Sequence, residues 1–62
     1  VAPGDQWRHR KTQETVRIEV CEFGFLSFSI LREGRWFRSQ SLWDEAEFKR
    51  QFEPVIVHPN LQ

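Results

Sequence analysis

Two apolar rows, each repeating at every second residue, stand on either side of a single Phe23-Gly24 step. Val16, Ile18 and Val20 alternate with Thr15, Arg17, Glu19 and Cys21. Leu26, Phe28 and Ile30 alternate with Phe25, Ser27, Ser29 and Leu31. A period of two is what a strand with one buried face requires. Glycine takes a positive φ at no steric cost, so Phe23-Gly24 reads as a tight turn. The pattern predicts an antiparallel hairpin over residues 15–22 and 25–32. Its inward rows are Val16/Ile18/Val20 and Leu26/Phe28/Ile30, with Cys21 on the opposite face.

The flanking segments extend this meander. Gly4-Asp5 signals a turn before an extended stretch, Gln6 to Arg10, in which Trp7 and His9 share a face. Arg32-Glu33-Gly34-Arg35 is a second turn, and residues 36–42 read as a further strand. The period then changes. Ser41-Leu42-Trp43-Asp44 has the spacing of a helix N-cap, and Asp44-Glu45 places negative charge at a helix start. A short helix is predicted over 44–52, with Phe48 and Phe52 one turn apart and Glu45–Lys49 as an i,i+4 ion pair. Pro54 ends it, and residues 55–57 read as a last strand. The expected fold is mostly β: a small barrel of four to five antiparallel strands with one short helix, in a single domain over 1–62 with loose termini at 1–3 and 58–62.

Sixty-two residues bury only roughly 60% of their unfolded surface, so this core depends on its large side chains. Three tryptophans and six phenylalanines supply them. The chain opens on Val1 rather than methionine, as a trimmed or excised piece does. The lone Cys21 has no internal disulfide partner, which points to a reducing, cytoplasmic setting. No apolar run is long enough to span a bilayer, so no membrane partner is expected.

Few residues suggest reaction chemistry. His9 and His58 lack a patterned spacing with Cys, Asp or Glu, and Cys21 has no basic helix terminus beside it. The three glycines are scattered turn residues rather than a phosphate loop. No catalytic residue, metal or cofactor is expected, and the chain reads as a non-enzymatic binding domain.

Net charge is zero, but residues 1–38 carry +2 and residues 39–62 carry −2. The strongest binding candidates form a basic-aromatic set: Trp7, Arg8, Arg10, Arg35, Trp36 and Arg38. Trp and Arg dominate protein interfaces, and the same set would suit single-stranded nucleic acid. The bland alternative places Trp7 and Trp36 in the core with solvated arginines. A second patch, Phe23, Phe25 and Trp43, is expected at the surface and suits homodimerisation. Sheet addition at residues 55–57 is a further route to a partner.

The opening Gly4-Asp5-Gln6-Trp7-Arg8, the meander with its Phe23-Gly24 and Glu33-Gly34 turns, and Phe48-x-x-x-Phe52-Glu53-Pro54 resemble small SH3-like barrels. More narrowly, they resemble short uncharacterised proteins of bacteriophages and prophages. That resemblance covers residues 4–54 and implies a fold and a genomic setting in a bacterial host cell, with no assigned functional residues. It implies no known activity; the residues themselves are read as a protein-interaction module, in that setting a modifier of a host factor, with a nucleic-acid-binding barrel as the alternative. Barrels of the plasmid-encoded dihydrofolate reductase type carry a Val-Gln-Ile-Tyr stretch; this chain has no tyrosine.

Overall fold

The structure is a computed structural model that describes residues 1–55. The expected strand over 55–57 falls mostly outside the described residues, as does His58. The chain runs β1 (Gln6–His9), β2 (Thr15–Glu22), β3 (Phe25–Arg32), β4 (Arg35–Arg38), β5 (Trp43–Asp44), α1 (Glu45–Gln51) and β6 (Phe52–Pro54). All strands pair antiparallel in one sheet of order β4-β3-β2-β1-β6, with β5 also on β3. The class is the mostly-β, barrel-like one that the alternation predicts, with six strands among the described residues where four to five were expected.

Both tight turns form as two-residue loops. Phe23 and Gly24 have φ of 54° and 81°, and Glu33 and Gly34 have 52° and 77°. Positive φ at both central residues is the signature of the turn whose twist matches a hairpin.

The sheet curls until its distant strands meet. Trp43 is on β5, which joins β3, and Phe52 is on β6 at the far end of the strand order, yet their rings are 5.5 Å apart. Helix α1 spans the gap between them. Asp44 caps it, with Oδ2 accepting from the Glu47 amide at 3.2 Å. Ser41, at the first position of the expected capping motif, lies instead in the 39–42 loop, where its amide donates to Ser39 Oγ. That loop replaces the end of the predicted fourth strand, because β3 exchanges β4 for β5 along one edge. The helix stops at Gln51 before Pro54 acts, since Phe52 turns extended. Pro54 pairs within edge strand β6, where a missing N–H is tolerated.

The core is Val16, Ile18, Leu26, Phe28, Phe48 and Phe52. Phe48 stacks on Phe52 at 4.4 Å with an 11° tilt, and Phe28 reaches both rings. Val20, expected inward, faces out. The register of β2 on β3 shifts by one residue between Ile18 and Val20, leaving Glu19 as the extra residue of a β-bulge. Because side chains alternate with period two, a one-residue shift exchanges the faces beyond it. Val20 therefore stands opposite Ser27 on the outer face, and Cys21 stands opposite Leu26 and packs on the core.

Candidate functional site

The structure divides the basic-aromatic set between the two faces of the sheet. On β1 the residues alternate, so Trp7 and His9 turn inward while Arg8 turns out. Trp7 meets Phe48 edge-on at 5.1 Å, and His9 meets Phe52 at 4.9 Å. His9 Nδ1 also accepts from the amides of Lys11 and Thr12, so the ring holds the β1–β2 loop. Arg8 donates to Glu53 from Nε and Nη2 at 3.2 and 2.8 Å, and Arg10 lies 3.5 Å from the other Glu53 oxygen. Arg10 further caps α1, donating to the carbonyls of Lys49 and Gln51. A depression of about 370 Å³ beside it, lined by His9, Lys11 and Arg50, thus sits at the negative end of the helix.

Trp36 lies on the outer face, paired with Leu31. The Arg17 guanidinium covers its ring at 4.3 Å. Arg17 also donates from Nε and Nη2 to Glu19 Oε2, which accepts from Ser29 Oγ at 2.7 Å. The bulge that turns Val20 out also places this carboxylate where it satisfies the buried Ser29 hydroxyl. The Ser29 hydrogen bond, then the Arg17 contact, holds the Glu19 carboxyl below its ordinary pKa of 4.5. The Glu14 carboxyl is likewise lowered, chiefly by the hydrogen bond from Arg32 at 2.8 Å.

Six of the nine cations are bridged to carboxylates: Arg8, Arg10, Arg17, Arg32, Lys49 and Arg50. Among the described residues, Lys11, Arg35 and Arg38 lack such a partner. The basic set is therefore largely neutralised within the fold. Of the six named residues, Arg8 and Arg10 converge on Glu53, and Arg35, Trp36 and Arg38 lie on β4.

The second patch is rearranged as well. Trp43 packs inward, 5.8 Å from Phe28 and 6.3 Å from Phe48. In its place the bulge brings Val20, and the 39–42 loop brings Leu42. Phe23 is 94% exposed, Leu42 73%, Phe25 51% and Val20 39%. These four line one shallow depression of about 230 Å³, together with Glu22 and Leu26. Leu42 was legible as the one large apolar side chain in an otherwise polar stretch, Ser39-Gln40-Ser41. No three His, Cys, Asp or Glu side chains converge as a metal site among the described residues, and no described helix is long and apolar enough to cross a membrane.

Comparisons with protein-family models, curated proteins and solved structures give no match.

Proposed function

We propose that this domain is a protein-interaction module whose contact surface is the hairpin tip: Phe23, Phe25, Val20 and Leu42. One observation carries the reading. Phe23 is 94% exposed at a position where φ is +54°. A bulky residue in the left-handed region costs on the order of 1 kcal/mol, and asparagine, aspartate or glycine fits that turn better. Exposure leaves Phe23 almost no packing to offset this cost. The Glu33-Gly34 turn has the same backbone with a charged residue in that place, so the geometry does not require an aromatic. An apolar side chain that weakens the free fold is explained when a partner covers it.

The protein reading is favoured over the nucleic-acid one because six of nine cations already face internal carboxylates. Phosphate binding draws on free cations and gives steep salt dependence. Phe23→Asn tests the module. The variant should unfold at higher urea than wild type and lose capture of protein partners. Undiminished capture by Phe23→Asn, or steeply salt-dependent binding of a single-stranded oligonucleotide by wild type, sinks the reading.

A further inference from the structure

We infer that the depression between β3 and the 39–42 loop is a carboxylate site, which takes an acidic side chain that the protein partner carries beside an apolar one. This rests on the reading that the hairpin tip is an interface, and it names the chemistry recognised at its edge.

The depression follows from a mismatch of chain lengths. Arg38, the last residue of β4, stands opposite Ser29, and Trp43 of β5 stands opposite Leu26. Residues 39–42 thus cross a span that β3 covers with Ser27 and Phe28 alone. The Ser39 amide donates to the Phe28 carbonyl at 2.9 Å. The surplus chain leaves a depression of about 290 Å³ lined by Ser27, Arg38, Ser39, Gln40, Ser41 and Leu42. Every polar side chain in that lining can donate, and no carboxylate is among them.

Two donors there lack an acceptor. Ser27 and Ser29 share the outer face of β3 and are 9% and 4% exposed. Ser29 donates to the Glu19 carboxylate at 2.7 Å. The Ser27 hydroxyl has no partner among the described residues and meets solvent where Ser27 lines the depression. The large majority of side-chain groups so nearly buried are bonded. Arg38 is level with Ser29 on the same face, and among the described residues it bridges to no carboxylate.

The chain builds the satisfied version of this pair beside it. Glu19 accepts from Arg17 Nε and Nη2 and from Ser29 Oγ. Arg38 and Ser27 repeat those donors without the acid. A carboxylate takes two bonds from a guanidinium fork and keeps lone pairs for a hydroxyl. One arginine matches one negative charge. A doubly charged phosphoryl group would be repelled by Glu19, which is held below its ordinary pKa first by Ser29 and Arg17 and last by Arg38 through space. Leu42 is 73% exposed and forms a wall of both this depression and the apolar one at the tip. An acid bound here therefore lies next to whatever apolar side chain covers Leu42 and Phe25.

NMR titration with N-acetyl-leucyl-glutamate amide tests this, with the glutamine analogue as the neutral control. The glutamate peptide should saturate at on the order of 1–10 mM, as one ion pair and a few hydroxyl contacts allow, and shift the amides of Ser27 and residues 38–42. The glutamine peptide should bind about tenfold more weakly or less. Arg38→Gln should weaken the glutamate peptide about tenfold or more. Ser27→Ala should weaken it roughly two- to tenfold. Both variants should keep the wild-type spectrum elsewhere. Ser27→Ala should also leave the urea midpoint unchanged, whereas Ser29→Ala lowers it. Equal binding of the two peptides, no saturation by ~100 mM, or undiminished binding by Arg38→Gln overturns the site. N-acetyl-leucine binding more tightly than the glutamate peptide overturns the side chain in favour of a chain terminus, and inorganic phosphate doing so overturns the carboxylate. If the glutamate peptide fails while Phe23→Asn still loses capture of protein partners, this site falls and the interface stands. If the peptide binds while Phe23→Asn captures undiminished, the interface falls and the carboxylate pocket stands alone.

Discussion

The inner and outer faces of the same hairpin are built from the same alternating strands, yet different physics holds them. Inside, aromatic rings from five separate elements meet: Trp7 from β1, Phe28 from β3, Trp43 from β5, Phe48 from α1 and Phe52 from β6. Outside, short polar networks neutralise charge, and four apolar side chains at one end are left uncovered. The inner face explains why the chain folds. The outer face carries features that folding does not need. Where a side chain contributes nothing to the free domain, a contact outside it is the remaining explanation.

The largest contrast comes from removing the ring that touches most of the core. Phe48 is fully buried and lies within 6.3 Å, centre to centre, of Trp7, Phe28, Trp43 and Phe52. Phe48→Ala should cost ~3–5 kcal/mol. Domains of this size hold roughly 5 kcal/mol in total, so the variant should be largely unfolded at room temperature by tryptophan fluorescence. Phe25→Ser on the outer face should leave the urea midpoint nearly unchanged. Equal losses from both would erase the distinction between the faces.

The second test concerns which residues belong to which face, and here the sequence was both informative and misleading. Strand limits for β2 and β3 follow from alternation and a glycine turn alone. The outward position of Val20 does not, although the conflict was present in the residue numbers. A two-residue Phe23-Gly24 loop pairs Glu22 with Phe25, and so Cys21 with Leu26 and Val20 with Ser27. Setting Ile18 opposite Phe28 and Val16 opposite Ile30 requires a register one residue different. No regular hairpin satisfies both, and the bulge at Glu19 reconciles them. Cys21→Asp should therefore cost on the order of 2 kcal/mol, because it places a charge against the core. Val20→Asp should stay within ~0.5 kcal/mol. Urea unfolding of the pair measures the order, and the reverse order would restore the unbroken alternation.

The candidate site was less legible than the fold, for a related reason. Local pattern shows which face a side chain takes but not who neutralises its charge. Arg8 meets Glu53 across 45 positions of sequence, and Arg32 meets Glu14 across 18. Such pairs follow from β1 lying between β2 and β6, and from the pairing of β2 with β3, rather than from spacing. Trp43 faces inward because it stands opposite Leu26, and β5 is only two residues long, a strand too short to show a period.

The smallest effect separates the faces by acidity. Among the described residues the buried core holds no carboxylate, so an acid limb in stability reports on the outer surface. Glu19 and Glu14 both have pKa values below 4.5 in the fold. A carboxylate with a depressed folded pKa contributes stability that is fully present above its unfolded value and is lost as pH falls through the folded one. Wild type should therefore exceed Glu19→Gln in stability above about pH 4.5, with the gap closing below it. Salt distinguishes the two acids. The first cause at Glu19 is the uncharged Ser29 hydroxyl, whereas Glu14 depends on the exposed Arg32. Screening weakens exposed ion pairs more than hydrogen bonds to neutral groups. High salt should thus shrink the contribution of Glu14, measured with Glu14→Gln, and leave most of that of Glu19. A Glu19→Gln gap that keeps its size as the solution is acidified would detach the ionised carboxylate from the stability of the bulge.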